Sequence, residues 1–224
     1  MRMRHKKNLD KRMASCDYVI MQKSSSIYRL PEKERFDIIN LQELFQNDNP
    51  VELEIGCGKG GFLVEKAKRN ENVNYLGVEV IGNVIISAGE LARENNLKNI
   101  KFLNVGAELL HYILPKNSIS KIYLNFSCPY PKKQYASHRL TYEYFLEIYK
   151  KIMKSEAVIV QKTDNDDFFD FSMQSFLDNG FEITYLTRDL YQNLPSDNIP
   201  TEYENKFVSL GKNINSLVAK LKEK

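Results

Sequence analysis

The sequence predicts an α/β fold with a largely parallel, doubly wound sheet and helices on both of its faces. Three observations carry this prediction. Short apolar segments typical of buried strands alternate with helical patterns, the first complete strand runs into a glycine-rich turn, and unusual polar residues follow several strands directly. Because ligands of doubly wound sheets bind outside the carboxyl ends of the strands, these residues mark a ligand site at that edge.

The predicted elements alternate along most of the chain. Strand patterns cover residues 51–55, 74–80, 99–105, 121–126, 157–162 and 181–186. Helical patterns cover residues 34–45, 62–69, 84–94, 141–153 and 166–179. Thr141 is predicted to cap the fourth helix, and Gly180 to end the fifth. Near the C-terminus the periodicity of residues 214–221 indicates a helix, while a strand over residues 214–219 remains an alternative.

The size and composition suit one globular domain with a short extension. The 224 residues are 42% hydrophobic and 27% charged, which is ordinary for a globular protein with a sizeable core. Residues 1–48 are predicted to form a basic arm and a packing helix, and residues 49–224 the nucleotide-binding domain. We expect no transmembrane helix and no secretory signal, because apolar runs are short and the basic N-terminus lacks an apolar segment.

The cysteines and histidines predict neither disulfides nor a metal site. Cys16, Cys57 and Cys128 lie far apart and form no CxxC pair, which favours a reducing cytoplasm. The three histidines show no ligand spacing.

The first twelve residues are strongly basic. They contain six Lys or Arg and one Asp, a net charge of +5, whereas the whole chain carries +3. A positive arm on a nearly neutral body suits a polyanion such as RNA. A solvated, disordered tail is the alternative.

The glycine-rich turn, VELEIGCGKGG over residues 51–61, predicts a nucleotide site. Gly56, Gly58 and Gly61 match the dinucleotide fingerprint, so spacing alone leaves an NAD-dependent oxidoreductase open. Glu54 instead favours S-adenosyl-L-methionine, because an acid there can face the cationic methionine end but would repel a pyrophosphate. Glu79 would accept hydrogen bonds from the ribose. The alternative for Glu54 is a strand-end acid bonded to backbone N–H groups.

A second motif, NFSCPYPKK over residues 125–133, follows the fourth strand pattern. Its two prolines stiffen the loop, Tyr130 offers a ring for stacking, and Lys132 and Lys133 can meet phosphates. This combination favours the placement of a nucleobase, against the alternative of a proline-rich surface turn.

Together, the motifs VELEIGCGKGGF, NYLGVEV, KIYLNFSCPYPKK, RLTYEYFLEIYKKI, KTDN and TEYENKF resemble the bacterial tRNA (guanine-N7-)-methyltransferases. The match runs in order over residues 51–211. It implies a Rossmann-like class I methyltransferase fold with a mostly parallel seven-stranded sheet, whose seventh strand lies near the C-terminus. It also implies S-adenosyl-L-methionine as donor, a variable-loop guanine of tRNA as acceptor, and a cytoplasmic protein. We expect a monomer or homodimer.

The resemblance and the strand-end positions assign the site residues. The predicted cofactor-binding residues are Glu54, Gly56, Gly58, Gly60, Glu79, Gly106, Ala107, Asn125 and Cys128. The predicted substrate-binding residues are Lys132, Asp164, Thr201, Glu202, Tyr203 and Glu204. Cys128 and Asp164 are the predicted catalytic positions.

The chain departs from the family pattern where two aspartates are expected. Gly106 stands where the family has the aspartate before Ala107, an acid expected to accept from the adenine amino group. Our hypothesis is that Glu108 replaces it. Cys128 stands where the family has the acid of its NFSDPWPKK loop, and a thiol is a weak acceptor that stays mostly neutral at pH 7. Tyr130 stands where the family has tryptophan.

Methylation at guanine N7 tolerates such losses, because N7 carries a lone pair and no proton that a base must remove. The enzyme must chiefly align the reacting atoms. Asp164, Glu202 and Glu204 are candidates to accept from the guanine N1–H and amino group, with helix capping as their alternative role. The sequence therefore predicts a slower enzyme. A tRNA-binding protein without catalysis, and a methyltransferase with a changed acceptor, remain alternatives.

Overall fold

The structure, a computed structural model, describes residues 7–21 and 37–222. It comprises two compact units, Met1–Pro115 and Lys116–Lys224.

The first unit is a parallel sheet with helices. Its strands, in spatial order, are β1 (Val19–Met21), β4 (Ile100–Asn104), β3 (Asn74–Val78) and β2 (Val51–Ile55). Its helices are α1 (Leu9–Ala14), α2 (Leu41–Phe45), α3 (Gly61–Arg69), α4 (Gly82–Glu94) and α5 (Leu110–Ile113). Leu53, Leu76 and Phe102, one from each inner strand, are fully buried. Burial of such apolar side chains is the main force that holds the strands together.

The second unit adds parallel and antiparallel pairings. Its strands, in spatial order, are β5 (Ile119–Asn125), β6 (Met153–Thr163), β8 (Asn215–Leu221) and β7 (Phe181–Thr187). Strand β6 is parallel to β5, whereas β8 is antiparallel to both β6 and β7. The helices are α6 (Glu143–Ile152), α7 (Asp166–Asp178) and α8 (Glu202–Ser209).

The C-terminal segment is a strand, as the resemblance implied, and the helix suggested by its periodicity is wrong. Strand β8 lies between two partners, pairing Val218 with Val160 of β6 and with Tyr185 of β7. Leu217 and Ala219 are fully buried. Backbone pairing with a neighbour on each side satisfies hydrogen-bonding groups of both edges of β8 and outweighs a weak helical pattern.

Three further predictions need correction. The described residues contain eight strands where seven were expected, because the apolar segment at β1 pairs with β4. The helix predicted over residues 34–45 is shorter and consists of α2 alone. It begins after Asn40, whose side chain accepts from the N–H groups of Gln42 and Glu43. Residues 34–36 lie outside the described part. Thr141 does not cap α6, because its buried hydroxyl lies 2.8 Å from that of Ser172 and the helix begins at Glu143.

The described end of the basic arm is a helix packed on the first unit. Leu9 and Met13 of α1 are buried. The Arg12 guanidinium donates two hydrogen bonds to Glu90 of α4, at 2.8 and 2.5 Å. Arg12 therefore stabilises the packing of α1 against α4. The interpretation of a solvated tail is wrong for residues 9–12. Residues 1–6 lie outside the described part.

Among residues 7–21 and 37–222, no helix has the length and apolar character needed to cross a bilayer.

Candidate functional site

The glycine turn connects β2 to α3 in the geometry that the sequence predicts. Gly56, Gly58 and Gly60 all have positive φ, at 79°, 57° and 79°. A Cβ on Gly60 would also lie only 2.7 Å from Cβ of Ala88, so this position accepts glycine alone. The N–H groups of Gly56 and Cys57 both donate to the carbonyl of Val78, which ties the turn to the end of β3.

The two acids assigned to the cofactor lie around one thiol at this end of the sheet. Glu54, at the end of β2, is only 3% exposed. Burial, together with the negative charges of Glu54 and Glu79, raises the pKa of the Cys57 thiol. Both carboxylates therefore lie near enough to Cys57 to disfavour its thiolate, and together they can attract a cationic ligand.

Two exposed apolar residues beside Glu79, Val80 and Ile81, were not predicted as site residues. Oε1 of Glu79 accepts from the N–H of Ile81 at 2.9 Å, and its carbonyl accepts from Asn104 at 2.8 Å. Val80 and Ile81 are 67% and 43% exposed despite their apolar side chains. Exposed apolar residues beside a strand-end acid offer a surface for a purine ring. The sequence feature that could have identified Val80 and Ile81 is their position, as an apolar pair directly after Glu79.

Gly106 and Ala107 follow β4 in the same unit. Gly106 is extended, with φ −78° and ψ 150°, and precedes a single 3-10 turn over Ala107–Leu109. Ala107 is buried and Glu108 is exposed. The ends of β2, β3 and β4 therefore carry the glycine turn, Glu79 and the Gly106 turn in register.

In the second unit, the loop after β5 has an unusual backbone. Asn125 ends the strand and is buried, whereas Cys128 is exposed. Phe126 and Tyr130 have positive φ, at 50° and 42°. Residues with a Cβ rarely adopt this conformation, so it marks strain of the kind found at binding sites. Burial raises the pKa of the Tyr130 hydroxyl, and the neighbouring Cys128 adds to that rise.

The basic residues of this loop divide into two roles. Arg139 donates to the carbonyls of Pro129 and Tyr130, and its guanidinium lies 4.3 Å from the Phe171 ring centroid. It therefore holds the loop in place. Lys132 and Lys133 are exposed and suited to a phosphate partner.

Asp164 lines an open cleft of about 850 Å³ at the start of α7. The cleft is lined by Asp164, Asn165, Asp166, Asp167, Arg188, Gly211, Lys212 and Asn213. Asn165 caps the helix, so the capping role considered for Asp164 is wrong. The Asp164 carboxylate instead pairs with Lys212 at 2.5 Å.

Lys212 links this cleft to three aromatic rings. Its ammonium lies 4.7 Å from the centroid of Phe207. The Phe207 ring stacks near Phe126 at 5.8 Å and near Tyr203 at 6.2 Å. Tyr203 is 57% exposed. The structure therefore brings two predicted substrate residues, Asp164 and Tyr203, to one face together with an aromatic surface.

Glu204 lies elsewhere, and the prediction that it contacts the substrate is not supported. It is fully buried, and Lys162 donates to its Oε2 at 2.9 Å. Tyr191 and Asn198 donate to its Oε1 at 3.1 and 3.0 Å. Both carboxylate oxygens are thus engaged within the protein. Thr201 caps α8 by accepting from the N–H of Glu204 at 3.0 Å, while Glu202 is exposed in the first turn.

Comparison with known proteins decides the family. A family model described as "Putative methyltransferase" matches residues 48–217. A tRNA (guanine-N(7)-)-methyltransferase of Geobacillus sp. (strain WCH70) is 46% identical over 77% of this chain and 78% of its own length. One from Bacillus cytotoxicus is 40% identical over 98% of this chain and 97% of its own.

The chain belongs to the tRNA (guanine-N7-)-methyltransferase family. Solved structures of more distant methyltransferases share its fold. An antibiotic-related methyltransferase superposes with a TM-score of 0.61 at 17% identity, covering 86% of this chain and 95% of that one. The 16S rRNA methyltransferase KamB gives 0.61 at 12% identity, covering 84% and 95%. The predicted class I methyltransferase fold is confirmed.

Proposed function

We propose that this protein transfers a methyl group from S-adenosyl-L-methionine to N7 of a variable-loop guanine in tRNA. The observation that carries the proposal is the match to tRNA (guanine-N7-)-methyltransferases over nearly the whole chain. Such a reaction belongs in the cytoplasm, where tRNA is found.

The residues of the first unit fit the cofactor. The glycine turn leaves room for a ligand, since a Cβ at Gly56 or Gly58 would meet no atom within 4 Å. Buried Glu54 is suited to the cationic methionine end and Glu79 to the ribose hydroxyls. When bound, the cofactor supplies an electrophilic methyl group. An NAD pyrophosphate beside the Glu54 carboxylate would instead be repelled.

The residues of the second unit fit a nucleobase. Asp164 is an acceptor for the N1–H and amino group of guanine, and Tyr203 offers an exposed ring for stacking. Lys132 and Lys133 can neutralise backbone phosphates. No general base is required because N7 has no proton, so these residues act by binding and orienting the base.

A transfer assay tests the proposal against its two alternatives. The protein is incubated with labelled S-adenosyl-L-methionine and tRNA from cells that lack the modification, and the nucleosides are analysed. We expect labelled 7-methylguanosine. Cofactor binding without transfer to tRNA would indicate a changed acceptor, and tRNA binding without cofactor binding would indicate a protein that has lost catalysis.

Asp164→Asn is expected to lower kcat by about 10- to 100-fold, because a charge-assisted hydrogen bond to the guanine edge is lost. The dissociation constant of S-adenosyl-L-methionine should stay unchanged. Asp178→Asn, at an exposed position on α7, is the matched control and should keep full activity. Equal activity of both variants would show that Asp164 does not hold the guanine.

Cys128→Asp is expected to raise kcat by about tenfold, because a carboxylate replaces a weak acceptor at the position where the family pattern has one. Cys128→Ser, which adds an acceptor without charge, is the control and should give a smaller gain. A Cys128→Asp variant with unchanged turnover would show that this position does not limit the reaction.

A further inference from the structure

We infer that Glu108 recognises the adenine amino group of the cofactor, in place of the aspartate that the family pattern has at Gly106. The inference rests on the proposed function, because it presupposes that S-adenosyl-L-methionine binds. Glu108 is exposed and lies outside the family motifs, and the inference gives it the role of recognising the purine edge that carries the amino group.

The geometry around Gly106 supports the replacement. A Cβ built on Gly106 would lie 2.2 and 2.3 Å from the two carboxylate oxygens of Glu108, and 2.5 Å from their carbon. The Glu108 carboxylate therefore fills the space into which a side chain at position 106 would project. The carboxyl carbon of an aspartate at position 106 would lie one bond beyond that Cβ, so the Glu108 carboxylate lies in the immediate surroundings of the family's acid.

The local backbone explains how Glu108 reaches this position. The N–H of Leu109 donates to the carbonyl of Gly106 at 3.1 Å, which closes a tight turn. Buried Ala107 and Leu110 anchor the turn, and the Glu108 side chain folds back over the glycine. Within residues 7–21 and 37–222, no hydrogen bond or ion pair engages the Glu108 carboxylate. It is thus available to a ligand.

The position of the turn in the sheet points to the cofactor. Strand β4, which precedes it, pairs in parallel with β3, and β3 pairs in parallel with β2. The carboxyl ends of these strands therefore carry Glu54, Glu79 and Glu108 along one edge. Exposed Val80 and Ile81 lie on the same edge and can contact the flat face of the purine.

Chemistry makes the proposed contact selective. An ionised carboxylate only accepts hydrogen bonds, and the adenine amino group donates them. A purine with a carbonyl at that position, as in inosine, would present an acceptor to the carboxylate and be disfavoured. Glu108 therefore predicts discrimination between adenosine and inosine forms of the ligand.

The test measures that discrimination by calorimetry, with S-adenosylhomocysteine and S-inosylhomocysteine as probes. We expect the native protein to bind the adenosine form about 10- to 100-fold more tightly, which corresponds to one charge-assisted hydrogen bond. Glu108→Ala should lose this preference by weakening the adenosine form. The double variant Gly106→Asp/Glu108→Ala should regain it, because it moves the acid to the family position.

Glu71→Ala, which removes another exposed acid of the first unit, is the matched control and should keep the native preference. A Glu108→Ala variant that still prefers the adenosine form would overturn the inference while leaving the proposed function intact. Failure of the native protein to bind either probe would overturn both.

Discussion

Replacement of Glu204 by alanine is expected to lower the free energy of unfolding by about 3–5 kcal/mol, because it leaves the Lys162 ammonium buried without its counter-charge. The Lys162 side chain is only 8% exposed and Glu204 is fully buried. Tyr191 and Asn198 would each lose an acceptor as well. For a chain of this size the melting temperature should fall by roughly 6–20 °C.

Glu202→Ala is the matched control for this prediction, because Glu202 lies two residues earlier in the same helical turn but is exposed. Its effect should stay within about 0.5 kcal/mol. Glu204→Gln should fall between the two, since the amide keeps one acceptor oxygen. Native stability of Glu204→Ala, combined with loss of tRNA methylation, would show that Glu204 faces the substrate after all.

Replacement of Glu54 by glutamine is expected to weaken binding of S-adenosyl-L-methionine by about 30-fold or more. Loss of one partner from a buried, hydrogen-bonded charge pair costs about 2–5 kcal/mol. The change keeps the shape of the side chain, so it isolates the charge. Isothermal titration calorimetry gives the dissociation constant directly.

Glu52→Gln is the control for Glu54, because Glu52 lies on the same strand, where its carboxylate approaches Lys66 of α3 at 3.9 Å. Its effect on cofactor affinity should be small. Equal affinity of the native protein and the Glu54→Gln variant for the cofactor would contradict this role. Glu54 would then be a strand-end acid that accepts from backbone N–H groups, which is the alternative interpretation.

The elements that the sequence predicted best carry strong local signals. The apolar alternation of β2 and the positive-φ glycines after it fix a strand and a turn without distant contacts. The helix α7 is similarly marked by Asn165 at its start and Gly180 beyond its end. Local chemistry is sufficient for such elements.

The features that local periodicity missed depend on distant partners. The C-terminal strand is set by pairing with β6, whose residues lie more than fifty positions earlier in the chain. Glu202 and Glu204 have the same side chain in one helical turn, yet only Glu204 is buried, because Lys162 meets it from another element. Neither burial nor pairing of this kind is visible in a local pattern.

The candidate site was predicted in part for the same reason. Their positions in the motifs identified Glu54, Glu79 and Asp164 as candidates. The pairing of Asp164 with Lys212 and the aromatic rings beside Lys212 could be seen only in the folded structure. The correspondence between Gly106 and Glu108 was a hypothesis from two nearby residues. The structure supplies the distances that make it testable.

The most direct test of the proposed function compares two tRNA transcripts that differ only in the variable-loop guanine, which one of them replaces by adenosine. Each is incubated with the protein and S-adenosyl-L-methionine, and 7-methylguanosine is located by cleavage at the modified base. We expect modification at that guanine in the first transcript and none in the second. Equal methylation of both, or transfer to a different atom or base, would contradict it.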